Sequence, residues 1–177
     1  MMITIEEYIK SEWSAENRHE YVDGVLIEIL QSDDTHNQVV GNIGLCIANK
    51  IKNAGYQLYL IDIKVATPDQ LKIFYPDVMV TNEIRTQENA YIKKAPVLLA
   101  EIVSPGSHSH DYIDKYIEYT KIPSLQYYLI VEPETILITM YIRTTEGWKI
   151  QKFTKLSDEI SLPAIGANMI LQDIYAV

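Results

Sequence analysis

Two stretches decide how this chain is read: KIFYPDVMV, Lys72 to Val80, and PVLLAEIVS, Pro96 to Ser104. Both are rich in β-branched and aromatic residues and bounded by Pro, Asp or Asn, the pattern of strands. Side chains at i, i+2 and i+4 share one face of a strand. Asp77 therefore shares a face with Ile73, Tyr75 and Met79, and Glu101 with Val97, Leu99 and Val103. Each strand sets one carboxylate in an otherwise apolar row. A lone buried carboxylate is costly unless it is paired, protonated or bound to a metal. If the two strands are neighbours in register, the acids converge where a hard cation such as Mg²⁺ can sit, keeping several waters beside one or two carboxylates. The competing arrangement leaves each acid at a strand end in solvent.

Working outward, Thr4 and Glu7 form a capping box that starts a short helix through Trp13. A helical stretch over Asn17 to Val22 stops at the turn dipeptide Asp23-Gly24, which leads into a strand over Val25 to Gln31. Ser32 to Thr35 supply N-cap candidates for a long helix in which Val39, Val40, Ile43, Ile47 and Ile51 repeat at helical spacing until Gly55. Strands are expected at Tyr56–Thr67, Leu71–Val80 and Val97–Val103, then a helix over His110 to Lys121. The apolar runs Tyr127–Val131, Ile136–Arg143 and Trp148–Phe153 follow, and then a loop-rich tail. This order predicts an α/β (α+β-like) fold, a mixed β-sheet core flanked by helices, and not an alternating doubly wound one.

With 177 residues, 47% of them hydrophobic and only 7 Gly and 7 Pro, the chain reads as one domain spanning 1–177, neither low-complexity nor collagenous. The single cysteine, Cys46, excludes an internal disulfide and a Cys-rich zinc cluster. The start, MMITIEEYIKSEW, carries acids where a signal peptide carries a basic and then an apolar segment, and no long apolar run follows. A cytoplasmic protein with no membrane partner is expected. A net charge of −9 counts against binding nucleic acid by phosphate neutralisation, although acids that hold a cation would account for part of it. Glycine-rich phosphate loops, GxSxG and HExxH are all missing from the sequence. Thirteen tyrosines against two phenylalanines identify no ligand.

Taken in order, YPDV, AEIVSP and a following helix with Asp111 and Lys115 resemble the PD-(D/E)xK nuclease superfamily, with its restriction endonuclease-like fold. More closely, the chain is similar to the Uma-type family of bacterial restriction endonuclease-like proteins. That likeness is carried by EYVDGVLIEI (Glu20 to Ile29), His36 at the head of the long helix, FYPDVMV, PVLLAEIVSPGSHSHDYIDKYIEY and IPSLQYYLIVEP. The superfamily pattern puts a lysine two residues after the glutamate, but this chain has Val103 there. In the resembled family the lysine comes from the next helix, which here is Lys115.

Helical spacing tests that migration. Tyr112, Ile113, Tyr116, Ile117 and Tyr119 form an apolar stripe, Asp111, Asp114, Glu118 and Lys121 the opposite side, and Lys115 the border. From the border, a lysine can bury its stem and still aim its ammonium at the sheet. The competing reading is an exposed Lys115 paired with Asp111. Lys64, on one strand face with Asp62, is a rival for the site lysine.

The resemblance implies that Asp77, Glu101 and the Ile102 carbonyl hold Mg²⁺ or Mn²⁺, with Glu20 from the first helical region completing the shell. His36 is a further candidate, while His108 and His110 in the loop after Glu101 receive no role. It also implies hydrolysis of DNA phosphodiester bonds, and a homodimer would set two sites against two strands. The alternatives are a catalytically inactive relative that binds nucleic acid or protein, and hydrolysis of a small phosphate compound.

Overall fold

Thr4 caps the first helix, α1 (Ile5–Glu12), as the pattern predicts. Its hydroxyl accepts from the Glu7 N–H, and the Glu7 carboxylate accepts from the Thr4 N–H. The chain, here a computed structural model, is described over residues 2–104, 107 and 110–176. Asn17 to Val22 is not helical. His19–Val22 forms β1, which pairs antiparallel with β2 (Val25–Glu28) across Asp23-Gly24. Both turn residues have positive φ, 50° and 88°, as a two-residue hairpin of this twist requires. The hairpin wins over a short helix because it turns Tyr21 and Glu20 to opposite faces and buries both. Tyr21 stacks on Tyr8 of α1 with ring centroids 5.3 Å apart.

The long helix follows its pattern. Asp33 caps α2 (Asp34–Ile51) by accepting from the His36 N–H at 2.9 Å, and Val39, Val40, Ile43, Ile47 and Ile51 are all buried. The next two expected strands are each broken in two. Tyr56–Thr67 becomes β3 (Gln57–Leu60) and β4 (Lys64–Ala66), and Leu71–Val80 becomes β5 (Lys72–Phe74) and β6 (Val78–Thr81). The first break falls at Ile61 and Asp62, both at positive φ, and the second at Tyr75-Pro76-Asp77, where proline has no N–H for a ladder. The Ile61 N–H donates to the Asp77 carbonyl at 2.9 Å, so the breaks lie side by side.

At both breaks the chain passes between two sheets. One has the order β2-β1-β5-β4-β7, with β7 at Ile92–Lys93. The other contains β8 (Pro96–Ile102), β9 (Tyr127–Glu132), β10 (Leu137–Thr144) and β11 (Gly147–Phe153) in the order β11-β10-β9-β8-β6-β3. Asp77 thus shares no continuous strand face with Ile73. Ile73 packs with Tyr8 and Tyr21, whereas Met79 packs with Leu99 and Tyr128.

β8 is buried along its whole length. Leu98, Ala100 and Ile102 pack toward α2, and Leu99 and Val103 toward the other face, which alternation gives to Glu101 as well. β8 and β9 are parallel, so the chain between them must cross a sheet face. That crossover is a π-helical turn, His110–Lys115, running into α3 (Tyr116–Tyr119). It therefore lies over the face that carries Glu101.

Arg143 of β10 ties down the far end of the crossover. Its guanidinium donates to the carbonyls of Leu125 (2.6 Å), Ile122 (2.7 Å) and Thr120 (3.0 Å) and stacks on Trp148. Arg143→Leu would strand three carbonyls and is expected to cost about 3 kcal/mol in urea unfolding, the scale of lost charge-assisted bonds. The expected loop-rich tail is ordered. β12 (Glu159–Leu162), β13 (Ala167–Ile170) and α4 (Leu171–Ile174) bury Ile160, Leu162, Met169, Leu171 and Ile174 against α2 and the large sheet. Among the described residues no helix is long and apolar enough to cross a membrane.

Candidate active site

β6 and β8 are antiparallel neighbours with Val78 opposite Ala100. One residue further along this register, Asp77 comes opposite Glu101, the arrangement that makes the two carboxylates converge. Asp77 Oδ2 accepts from the Ile102 N–H at 2.8 Å and lies 3.3 Å from His36 Nε2. His36 is buried. Burial opposes its positive charge, but Asp77 and the Ile102 carbonyl outweigh this and hold its pKa above the ordinary imidazole value. The imidazole thus stands beside two groups, Asp77 and the Ile102 carbonyl, that the resemblance assigns to a metal.

Lys115 is 5% exposed and points into the sheet. Its Nζ lies 3.0 Å from Glu101 Oε2, 3.1 Å from Glu20 Oε1 and 3.2 Å from Asp111 Oδ1. The pairing with Asp111 and the approach to Glu101 are both present, but the side chain is buried and not exposed as the competing reading of Lys115 has it. The second oxygen of Glu101 accepts from the Tyr119 hydroxyl at 2.8 Å. Ser107 donates to Asp111 Oδ2 at 2.6 Å, and the Tyr128 hydroxyl to the Asp111 carbonyl at 2.8 Å.

The acids outnumber the lysine. Burial, reinforced by Asp111, Asp77 and Glu20, pushes the Glu101 carboxyl well above its usual range despite Lys115. The same four acids overcome burial at Lys115 and hold its ammonium well above the usual lysine value. Burial also works against the Glu20 carboxylate, but Lys115 and His110 more than compensate and keep it below the usual range.

The crossover does not present the stripe that spacing predicts. Ile113 and Ile117 are 56% and 49% exposed, whereas Asp111, Lys115, Glu118 and Tyr119 face inward. The first turn is π-helical, which alters the angular step per residue. More decisively, the buried partners of Asp111 and Lys115 are ionic and hydroxylic, so pairing sets the inward face and not hydrophobic pattern.

Glu20 reaches the cluster from β1 and not from a helix. It is buried, with Oε2 2.8 Å from His110 Nε2. His110, given no role on sequence, also bonds Asp114 through Nδ1 at 3.0 Å, and these carboxylates raise its pKa against the effect of burial. The i, i+4 pairs His110–Asp114 and Asp111–Lys115 were the available signal for this face. His108 lies outside the described residues.

Lys64 is placed elsewhere. Its Nζ sits 4.8 Å from the centre of the Tyr75 ring, and among the described residues it forms no ion pair with Asp77 or Glu101. Asp62, expected on its strand face, lies at the positive-φ break and pairs with Arg18. Asp77, His36, Lys64 and Tyr75 all line a cleft of about 940 Å³, and Glu101 and Lys115 are not among its lining residues. Among the described residues no group of three His, Cys, Asp or Glu side chains is arranged to hold a metal ion.

The chain is similar to known proteins over nearly all of its length. The Uma2 family, described as "Putative restriction endonuclease", matches residues 5–172. An uncharacterized protein of Synechocystis sp. (strain ATCC 27184 / PCC 6803 / Kazusa), slr1290, is 26% identical over 171 residues, 96% of this chain and 90% of its own. A second from the same organism, sll1609, is 29% identical over 133 residues, 74% of this chain and 75% of its own. The crystal structure of a putative nuclease belonging to DUF820 from Anabaena variabilis ATCC 29413 matches with a TM-score of 0.81 over 98% of both chains, at 18% identity. That likeness shows a shared fold, the mixed-sheet architecture with flanking helices described above. The chain belongs to the Uma2 family of putative restriction endonucleases.

Proposed function

We propose that the chain is a metal-dependent endodeoxyribonuclease whose site is built on Asp77, Glu101 and Lys115, with Glu20 in support. One observation carries the reading: Lys115, delivered by the crossover helix, lies within 3.2 Å of three buried carboxylates on the sheet side where Asp77 and Glu101 meet. The family's description as putative restriction endonucleases supports DNA as the substrate.

The donor set suits Mg²⁺ or Mn²⁺. Glu20, Asp77, Glu101 and Asp111 supply hard carboxylate oxygens around the ammonium of Lys115 and the imidazoles of His36 and His110, and oxygens of this kind are what such a cation takes while keeping part of its water shell. Asp77, which lines the cleft, and Glu101 opposite it on β8 would hold the ion, with the Ile102 carbonyl as a further ligand. When bound there, the ion supplies polarisation of the scissile phosphate and a lowered pKa for a coordinated water. Lys115 stays charged in this acidic surrounding and stabilises negative charge that develops at the phosphate. Tyr119 fixes the Glu101 carboxyl so that its other oxygen faces Lys115. With a net charge of −9, binding of DNA is selective and sensitive to salt.

The second reading, a non-catalytic binding module, is favoured by one arrangement: His36 and Lys115 already satisfy the carboxylates. Titration calorimetry with Mn²⁺ separates the two. The nuclease reading expects a binding isotherm for the wild type that is lost in Asp77→Ala and in Glu101→Ala; a wild type that binds no metal supports the module.

A further inference from the structure

The cleft in front of Asp77 has a composition unlike a duplex-binding groove. A protein that grips duplex DNA through its backbone neutralises many phosphates, on the order of 6–10 in well-studied cases. Here the only lysine or arginine side chains on the wall are Arg18 and Lys64, among the described residues, and Arg18 is already paired with Asp62. Carboxylates outnumber them on the same wall, Glu12, Glu16 and Glu88 among them. A rod with a charge every 1.7 Å or so would meet net repulsion there.

The rim offers a different kind of contact. Trp13, at the end of α1, and Tyr91, just before β7, are 66% and 51% exposed and meet edge to face with centroids 4.5 Å apart. Exposed aromatic faces at the mouth of a cleft are the platform on which unpaired bases stack, with little dependence on which base is present. Lys64 lines the same cleft, held over the Tyr75 ring and without a carboxylate in ion-pair range among the described residues. The Tyr75 hydroxyl is fixed by Glu12 at 2.8 Å, and Glu12 in turn by His19 Nδ1 at 2.9 Å, so the ring under Lys64 is anchored. The cleft volume, about 940 Å³, falls within the span of about 300–1,000 Å³ typical of sites for small ligands.

We infer that this cleft is a subsite for an unpaired nucleotide, its base stacked on one ring of the edge-to-face Trp13–Tyr91 pair while the other ring braces it, and its phosphate met by Lys64, so that the chain acts on single-stranded or locally unpaired nucleic acid. The inference deepens the nuclease reading and rests on it only for the position of the scissile phosphate, next to Asp77.

The test is fluorescence anisotropy of fluorescein-labelled oligo(dT) of twelve nucleotides and of a twelve-base-pair duplex, at low salt in EDTA, with cleavage of both followed separately in Mn²⁺. The wild type binds the single strand at least tenfold more tightly than the duplex. Trp13→Ala and Lys64→Gln each lose about tenfold in single-strand affinity, and Trp13→Ala raises KM for the single strand while leaving kcat unchanged. Tyr91→Ala, also at an exposed position, gives the same loss and guards against a folding artefact in Trp13→Ala. Equal or tighter binding of the duplex, or aromatic variants that bind as the wild type does, would overturn the subsite. The two readings fail separately. Selective single-strand binding without cleavage in Mn²⁺ upholds the subsite and removes the nuclease, whereas duplex cleavage without single-strand preference removes the subsite and upholds the nuclease.

Discussion

Lys115→Met is expected to destabilise the fold by about 3–5 kcal/mol, the penalty for removing one partner of a buried ionic cluster and leaving the others uncompensated. Methionine preserves most of the apolar stem, so packing changes little and the effect isolates the charge. Without the ammonium, Glu20, Glu101 and Asp111 lose the one lysine they share, and Glu20 keeps the His110 imidazole at 2.8 Å. Burial already pushes the Glu101 carboxyl up, and loss of Lys115, the group that lowers it, pushes it further. Urea unfolding measures the loss. Mn²⁺ is expected to restore part of the stability of Lys115→Met, because a cation held by the same carboxylates replaces the missing charge. A variant as stable as the wild type would mean that the acids are not gathered around Lys115.

Glu101→Gln separates catalysis from stability. The amide is isosteric and its oxygen still accepts from the Tyr119 hydroxyl, while one buried negative charge disappears from a cluster that has too many. Unfolding free energy is expected to change by less than about 1 kcal/mol, since a neutral group replaces one whose ionisation burial opposes. Metal-dependent cleavage is expected to fall roughly 10³-fold, the scale seen when a group that stabilises transition-state charge is removed. A folded variant that still cleaves at the wild-type rate would take Glu101 out of the reaction.

Much of this arrangement could be read from residue order. Period-two alternation put Glu101 in an apolar row that β8 retains, whereas the row expected for Asp77 is broken before it, and Asp77 comes opposite Glu101 by extending the antiparallel register of β6 and β8. The capping box at Thr4 and the apolar repeat of α2 are local signals, and both elements form where spacing puts them. The break at Ile61-Asp62 was harder, because two non-glycine residues at positive φ leave no compositional mark, whereas the break at Tyr75-Pro76-Asp77 was marked by Pro76 but lay inside what reads as one continuous strand. Hydrophobic pattern also misplaces the crossover helix. Its inward face is chosen by partners far away in sequence, His110 meeting Glu20 across ninety residues, and no local periodicity encodes such a pairing. For the same reason Glu20 reads as helical and peripheral, although a strand carries it into the centre of the cluster.

The central claim is that Asp77, Glu101 and Lys115 form one metal-dependent phosphodiesterase site, and the most direct test is cleavage. Supercoiled plasmid and single-stranded oligonucleotide are incubated with Mn²⁺ at low salt, with wild type, Asp77→Ala, Glu101→Ala, Lys115→Ala and Lys64→Ala compared at matched folded concentrations. Cleavage by the wild type and its loss in the first three variants, with Lys64→Ala retaining turnover at saturating substrate, is the predicted result. A wild type that cuts neither substrate, or a Lys115→Ala variant that cuts as fast as the wild type, would contradict it.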